Sequence, residues 1–199
     1  MDAVKEFKEK KYTVVRSVIN EEMIEFISQY TLFDEIQNPL VGDPQAPKAH
    51  SKYGDPAMET LLLMLQPVME RHTGLSLYPT YSYYRIYRNG DDLKKHSDRE
   101  SCEVSATLSF RYSYESDPWA IFMDGSPIYL KPGDLAIYRG CEVEHWRDEL
   151  VCDPDDWHIQ GFFHYVDQNG KFSEFKFDKR QFIGQSHKKN KHYIQFIQN

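Results

Sequence analysis

Residues 79–112 read PTYSYYRIYRNGDDLKKHSDRESCEVSATLSFRY, two stretches of alternating hydropathy with a His-x-Asp triplet between them. In the first, Tyr81, Tyr83, Arg85 and Tyr87 alternate with Ser82, Tyr84 and Ile86. In the second, Val104, Ala106, Leu108 and Phe110 alternate with Ser105, Thr107 and Ser109. A period of two is the signature of a strand with two different faces, and Asn89-Gly90-Asp91 is a turn signal after the first. Downstream, short strands are expected at 120–123, 127–130, 135–139, 143–147 and 158–166. Asp124-Gly125, Pro132-Gly133-Asp134 and Asn169-Gly170 punctuate them. Many short strands with closely spaced turns indicate a β-sandwich or barrel.

Upstream the pattern changes. Tyr12 to Val15 reads as a strand after a charged lead. Asn20 can cap a helix starting near Glu21, with Met23, Ile27 and Tyr30 on one face. Residues 37–54 (QNPLVGDPQAPKAHSKYG) lack periodicity and read as a long irregular loop of the kind that forms functional lids. Asp55-Pro56 opens a second helix lined by Met58, Leu61, Leu62 and Leu65; Pro67 should kink or interrupt it, and Thr73-Gly74 ends it. Two such helices would cover one sheet from outside.

The chain has 199 residues, enough for one domain with a real core. Its net charge of −7 argues against a nucleic-acid backbone as the main partner, because phosphate binding needs a basic footprint. Aromatic residues are plentiful, with 14 Tyr and 12 Phe, which tilts the composition toward strands. Three cysteines, Cys102, Cys141 and Cys152, show no Cys-x-x-Cys spacing, so neither a disulfide framework nor a thiolate zinc site is expected. The start, MDAVKEFKEKKY, is too polar for a signal peptide, and no apolar run approaches the ~20 residues that span a bilayer. A cytoplasmic protein with reduced thiols and no membrane partner is expected. Lys188, Lys189 and Lys191 read as a solvated basic end.

The chemistry concentrates in His96-Ser97-Asp98 and in His145. Residues two apart on an extended strand project to the same side, so His96 and Asp98 can act together. About four strands separate them from His145, enough chain to run out and back. Two imidazoles and a carboxylate can fill one face of an octahedral ion and leave the other open. That suits Fe(II), with positions for a co-substrate and O2. Read alone, His96 and Asp98 also fit a solvated pair in a polar loop, and His145 a core imidazole satisfied by backbone. His158 and His164 read as packing or hydrogen-bonded residues of the last strand, and His72 as the end of a helix. His50 sits in the long loop; His187 and His192 lie in the tail.

Tyr-Arg-Ile-Tyr (84–87), Gly90-Asp91-Asp92-Leu93, His96-Ser97-Asp98, Cys102-Glu103-Val104-Ser105, Pro132-Gly133-Asp134, His145-Trp146-Arg147 and the closing run from Gln160 to Val166 together resemble a known group. They are similar to the 2-oxoglutarate- and Fe(II)-dependent dioxygenases, near the prolyl 4-hydroxylase-like branch, over roughly residues 79–168. The resemblance implies a mainly β protein with flanking helices and a double-stranded β-helix (jelly roll) core. It would be one domain over 1–199: a helical part about 1–78, the jelly-roll core about 79–168 and a C-terminal extension 169–199. It implies His96, Asp98 and His145 as iron ligands, with 2-oxoglutarate as co-substrate. The reaction would be hydroxylation of an unactivated C–H in an amino acid, peptidyl residue or small metabolite, consuming O2 and releasing succinate and CO2.

One departure bears on the co-substrate. The superfamily usually carries an Arg or Lys about ten residues after the distal His, to meet the far carboxylate of 2-oxoglutarate. Here that stretch reads Pro154-Asp155-Asp156-Trp157. Arg147, two residues past His145, is the substitute, since on an extended strand it shares the inward face and offers a bidentate fork. The competing reading is an outward Arg147 paired with Asp148 or Glu149. Arg139 and Arg85 are weaker candidates. Tyr84, Ser105 and Thr107 are further candidate contacts to the co-substrate. Residues 37–54 and 112–119, with Lys48, His50, Tyr53, Asp117 and Trp119, are expected to frame the entrance; Trp146, next to His145, reads as a core or rim aromatic at that entrance. The alternatives are a non-enzymatic β-barrel small-ligand module and a jelly-roll metalloenzyme that does not use 2-oxoglutarate.

Overall fold

The computed structural model describes residues 3–39, 42 and 44–184. Lys188, Lys189, Lys191, His187 and His192 therefore lie outside the described residues. Helices α1 (Ala3–Lys10), α2 (Glu21–Gln37) and α3 (Pro56–Thr73) alternate with strands β1 (Tyr12–Val15) and β2 (His50–Tyr53). The core follows as β3 (Leu77–Arg88), β4 (Leu93–His96), β5 (Val104–Tyr112), β6 (Ile121–Met123), β7 (Ser126–Ile128), β8 (Leu135–Tyr138), β9 (His145–Arg147) and β10 (Trp157–Asp167). A kinked 3-10 segment, Ser173–Lys179, follows β10.

Two antiparallel sheets face each other, one ordered β1-β8-β5-β10-β3-β2 and the other β4-β9-β6-β7. Strands β3 to β10 alternate between the sheets except at the β6–β7 hairpin, which stays within the second, and this is the pattern of a double-stranded β-helix, as the resemblance implied. The period-two alternation assigns faces. Tyr84 and Ile86 of β3, Val104, Ala106, Leu108 and Phe110 of β5, and Ile159, Phe163 and Tyr165 of β10 pack outward against Ile27 of α2 and Met58, Leu61, Leu62, Leu65 and Met69 of α3. The opposite faces, with Tyr83, Tyr87, Ala136, Tyr138 and Phe162, point into the barrel with Ile121, Met123 and Val143. Among the described residues no helix is long and apolar enough to cross a membrane.

Several local expectations change. The charged lead is helix α1, anchored by the fully buried Phe7. The loop at 37–54 contains an edge strand, His50–Tyr53, paired with β3. Its composition hid this because Ser and Lys carry little strand propensity, and the pairing partner lies some thirty residues away. Helix α2 buries Ile24, Ile27, Ser28 and Thr31 rather than the Met23 and Tyr30 edge of that face. Pro67 does not interrupt α3. The carbonyl it leaves without a donor belongs to Leu63, which is 40% exposed, so water can satisfy it. Pro79 lies within β3, beside a register shift between His164 and Tyr165, a place where a missing N–H is tolerated. The caps are as read: Asn20 and Asp55 accept from the first-turn amides, and Gly74 ends α3 in the left-handed conformation.

The C-terminal segment is tied down by charge. Arg180 donates to Glu59 of α3 at 2.6 Å and to the carbonyl of Thr80 at 3.0 Å, with both ion-pair side chains nearly inaccessible. Removing one partner of a buried pair strands the other charge, so Glu59→Gln or Arg180→Ala should each cost about 3–5 kcal/mol in urea unfolding. A loss below about 1 kcal/mol would show that the pair is solvated in solution.

Candidate metal centre

Strand β4 ends on His96 and β9 begins on His145, and the two residues are directly paired across the antiparallel ladder. Their rings lie 4.3 Å apart between centroids. Asp98 follows just beyond β4, where its amide donates to the carbonyl of Gly140 at 2.9 Å. One Asp98 carboxylate oxygen, Oδ1, is 3.7 Å from Nε2 of His96 and 3.7 Å from Nε2 of His145. One ligand atom from each of the three residues lies within 4.8 Å of the others. The structure thus brings together the three residues that the sequence singled out.

The backbone sets the tautomers. His96 Nδ1 faces the carbonyl of Lys94 at 2.6 Å, and His145 Nδ1 faces that of Val143 at 3.0 Å. A carbonyl only accepts, so each Nδ1 carries the proton and each Nε2 presents a lone pair beside Asp98. Burial, followed by the neighbouring His145, lowers the pKa of His96, which favours the neutral form that binds metals. The three side chains open onto a cavity of about 470 Å³ walled by Tyr53, Tyr81, Tyr83, Phe162 and His164. The donor set and its open side fit a divalent ion with free coordination positions.

The second oxygen of Asp98 accepts from Ser105 Oγ at 2.8 Å, and that hydroxyl also meets the Cys102 carbonyl at 3.0 Å and His164 Nδ1 at 2.9 Å. A hydroxyl has one proton, and the first two partners only accept. The third contact is therefore His164 Nδ1–H donating to Ser105. Ser105, expected as a co-substrate contact, thus holds the Asp98 carboxylate in this structure. Gly140 is a site residue that the sequence reading missed. A Cβ there would sit 2.4 Å from the Asp98 carboxylate, 2.2 Å from the Cys102 carbonyl and 2.7 Å from Ser105 Oγ. A lone glycine after a strand reads as a turn, whereas its role here is a contact with residues some forty positions away.

Arg147 faces inward. It is 2% exposed, while Trp146 between it and His145 turns outward onto Phe122 at 5.1 Å between ring centroids. Trp146 thus does not shape the cavity. The Arg147 guanidinium lies over the Trp119 ring at 4.6 Å and donates to the Trp119 carbonyl. Its Nε has no hydrogen-bond partner, and among the described residues no carboxylate pairs with it. Burial pulls its pKa down to about 10, with Tyr87, Tyr114 and Tyr138 pulling the other way. Burial and the charge of Arg147 bring the neighbouring His158 to about 3, so that imidazole is neutral. Arg147 is paired with Leu93 across the ladder, and it is Leu93, Tyr138 and Arg85 that line the cavity directly.

The remaining candidates separate. Tyr84 is corrected: it lies on the outer face of β3, buried beneath the helices, and donates to Asp34 at 2.5 Å. It is adjacent in sequence to Arg85, and the alternation that turns Arg85 inward turns Tyr84 out. Thr107 faces inward and accepts from Gln160 at 2.6 Å. Arg139 points outward, 3.4 Å from Glu142 and over Phe7. Of the expected entrance residues, Tyr53 lines the cavity, whereas His50 packs against Tyr84 and Asp117 lines a separate cleft.

No protein-family model matches the chain, and no curated protein matches it in sequence. Solved structures do match. A prolyl-4-hydroxylase from Pseudomonas putida superposes with a TM-score of 0.63 at 16% identity, covering 82% of this chain and 98% of that one. This chain has their fold. The non-heme alpha-ketoglutarate-dependent carbocyclase SnoK, from nogalamycin biosynthesis, gives 0.67 at 12% identity over 83% of each chain. HygX from Streptomyces hygroscopicus, with nickel and 2-oxoglutarate bound, gives 0.62 at 13% identity over 84% of this chain and 87% of that one.

If Ser105 and Gly140 hold Asp98 in place, Ser105→Ala and Gly140→Ala should each weaken Fe(II) or Ni(II) binding about 10- to 100-fold, the usual effect of losing an outer-shell partner. Isothermal titration checks this beside circular dichroism. Unchanged affinity in a folded Gly140→Ala variant would mean that Asp98 does not ligate.

Proposed function

We propose that the protein is an Fe(II)- and 2-oxoglutarate-dependent oxygenase that hydroxylates an unactivated C–H of an amino acid, peptidyl residue or small metabolite. The observation that carries this reading is the convergence of His96 Nε2, His145 Nε2 and Asp98 Oδ1 at the wall of an aromatic-lined cavity. His96, Asp98 and His145 would hold the iron by three ligands and leave the cavity side open. The bound iron with 2-oxoglutarate and O2 supplies the oxidising power, and succinate and CO2 leave as co-products.

The chain's own residues do the rest. Lys94 and Val143 carbonyls aim the imidazoles, and Ser105 and Gly140 fix the carboxylate. Arg147 is proposed to receive the far carboxylate of 2-oxoglutarate. Two residues of extended strand separate it from His145, about 7 Å, which matches the span of a five-carbon diacid. A buried guanidinium without a counter-ion is costly, and a dicarboxylate would supply the missing charge. The rings of Tyr53, Tyr81, Tyr83 and Phe162 would exclude water and hold the apolar part of the substrate. Three free cysteines suit a reducing compartment such as the cytoplasm.

His96→Ala and Asp98→Ala should abolish Fe(II)-dependent succinate release while leaving the far-ultraviolet spectrum unchanged; continued release in either would exclude the triad. Arg147→Ala should raise the 2-oxoglutarate requirement tenfold or more, because a desolvated charge pair is lost. An unchanged requirement would transfer the role to Arg85, which Arg85→Ala then tests.

A further inference from the structure

Asp98 has a second side. Its Oδ1 faces the two ligand imidazoles, whereas its Oδ2 faces Ser105 and, beyond it, His164 and Cys102. One ligand atom each from Asp98, Cys102 and His164 lies within 4.8 Å of the others. All three residues line the same cavity as the triad. Neither Cys102 nor His164 has a part in the proposed oxygenase chemistry. The His164 ring is clamped against Tyr81 at 4.5 Å between centroids, and the Cys102 thiol touches the Tyr81 hydroxyl at 3.1 Å.

We propose that Asp98, Cys102 and His164 form a second metal site, selective for a thiophilic divalent ion such as Zn(II) or Cd(II), which shares Asp98 with the first. The donor set is one sulfur, one nitrogen and one oxygen, which with a water makes the four-coordinate arrangement such ions favour. Bond lengths of about 2.0–2.3 Å put tetrahedral donors roughly 3.5 Å apart, so the three side chains, now within 4.8 Å of one another, close in by up to about an ångström. Removing the contact between Ser105 and His164 is one way to allow that movement. Burial, with the charge of Asp98 behind it, keeps the Cys102 thiol protonated well above its ordinary range. A thiophilic cation replaces that proton: the S–H bond breaks, an S–metal bond forms, and one proton leaves to solvent. Thiolate and carboxylate then bring two negative charges to a divalent ion.

The two sites differ in softness. The triad has only nitrogen and oxygen donors and suits Fe(II), whereas the thiolate selects the softer ion. Because one carboxylate serves both, an ion in the second site draws Asp98 away from the first. Zn(II) would therefore depress ferrous occupancy without having to replace the iron directly.

The test removes the first site and asks for the second. A His96→Ala/His145→Ala variant of the full chain, stripped of metal, is titrated with cadmium chloride. The expected result is one cadmium per chain with an ultraviolet cadmium–thiolate charge-transfer band. That band should persist when Cys141→Ser and Cys152→Ser are added, disappear with Cys102→Ser, and need at least tenfold more cadmium with His164→Gln. No band, or a band that follows Cys141 or Cys152, overturns the proposal. Should Cys102→Ser fail to fold, cadmium NMR of the parent variant reads the donors directly: a sulfur–nitrogen–oxygen shift supports the site and a sulfur-free shift refutes it. Succinate release by the wild-type chain, assayed without cadmium, tests the oxygenase separately, so either reading can fail alone.

Discussion

The direct pairing of His96 with His145 across two short strands is the constraint on which the rest of the site depends. Neither strand has much to hold it by itself, since β4 has four residues and β9 three. Their register is set by what each face must do. His145 and Arg147 point into the barrel, and Trp146 between them must cover Phe122 and Lys95 outside. A slip of one residue would bury Trp146 and expel both polar side chains, so the register is specified by burial as well as by hydrogen bonds.

Once that register is in place, Asp98 completes the triad from the loop beyond β4. Its position is defined by contacts from three separate segments: the Gly140 carbonyl, Ser105 of β5 and, through Ser105, His164 of β10. The absence of a side chain at Gly140 is part of this support, since no Cβ fits between Asp98, Cys102 and Ser105. Three segments converge on Asp98, one on its backbone amide and the others on its carboxylate directly or through Ser105, which limits the conformational freedom that a loop residue would otherwise have.

The barrel interior is unusually polar for a core, and nearly all of it is matched internally. Tyr114 meets His158 at 2.7 Å, His158 meets Gln160 at 2.9 Å, and Gln160 donates to Thr107 at 2.6 Å. Arg147 stands out against this chain of satisfied groups, a buried cation whose Nε has no partner. An apolar outer layer makes the polar interior affordable: the helices α2 and α3 bury the opposite face of the large sheet in one continuous cluster.

Local pattern was enough to determine the strands of the core other than β4 and the caps of both main helices, and with the family resemblance it singled out the three converging side chains. Each depends on spacing along the chain: period two in Val104–Phe110, a cap at Asn20 or Asp55, and the single residue between His96 and Asp98. The tertiary structure alone decided matters that depend on residues far apart. Tyr84 and Arg85 are neighbours that both read as candidate site residues, and only the side of β3 that the helices cover shows that Tyr84 is outside. Ser105 and Gly140 look like an ordinary strand serine and a turn glycine until Asp98 folds against them. The strand at His50–Tyr53 exists because β3 offers it an edge, and Pro67 stays within its helix because Leu63 faces water. Periodicity and capping are read from adjacent residues, but packing, shared ligands and edge pairing arise only when distant segments meet.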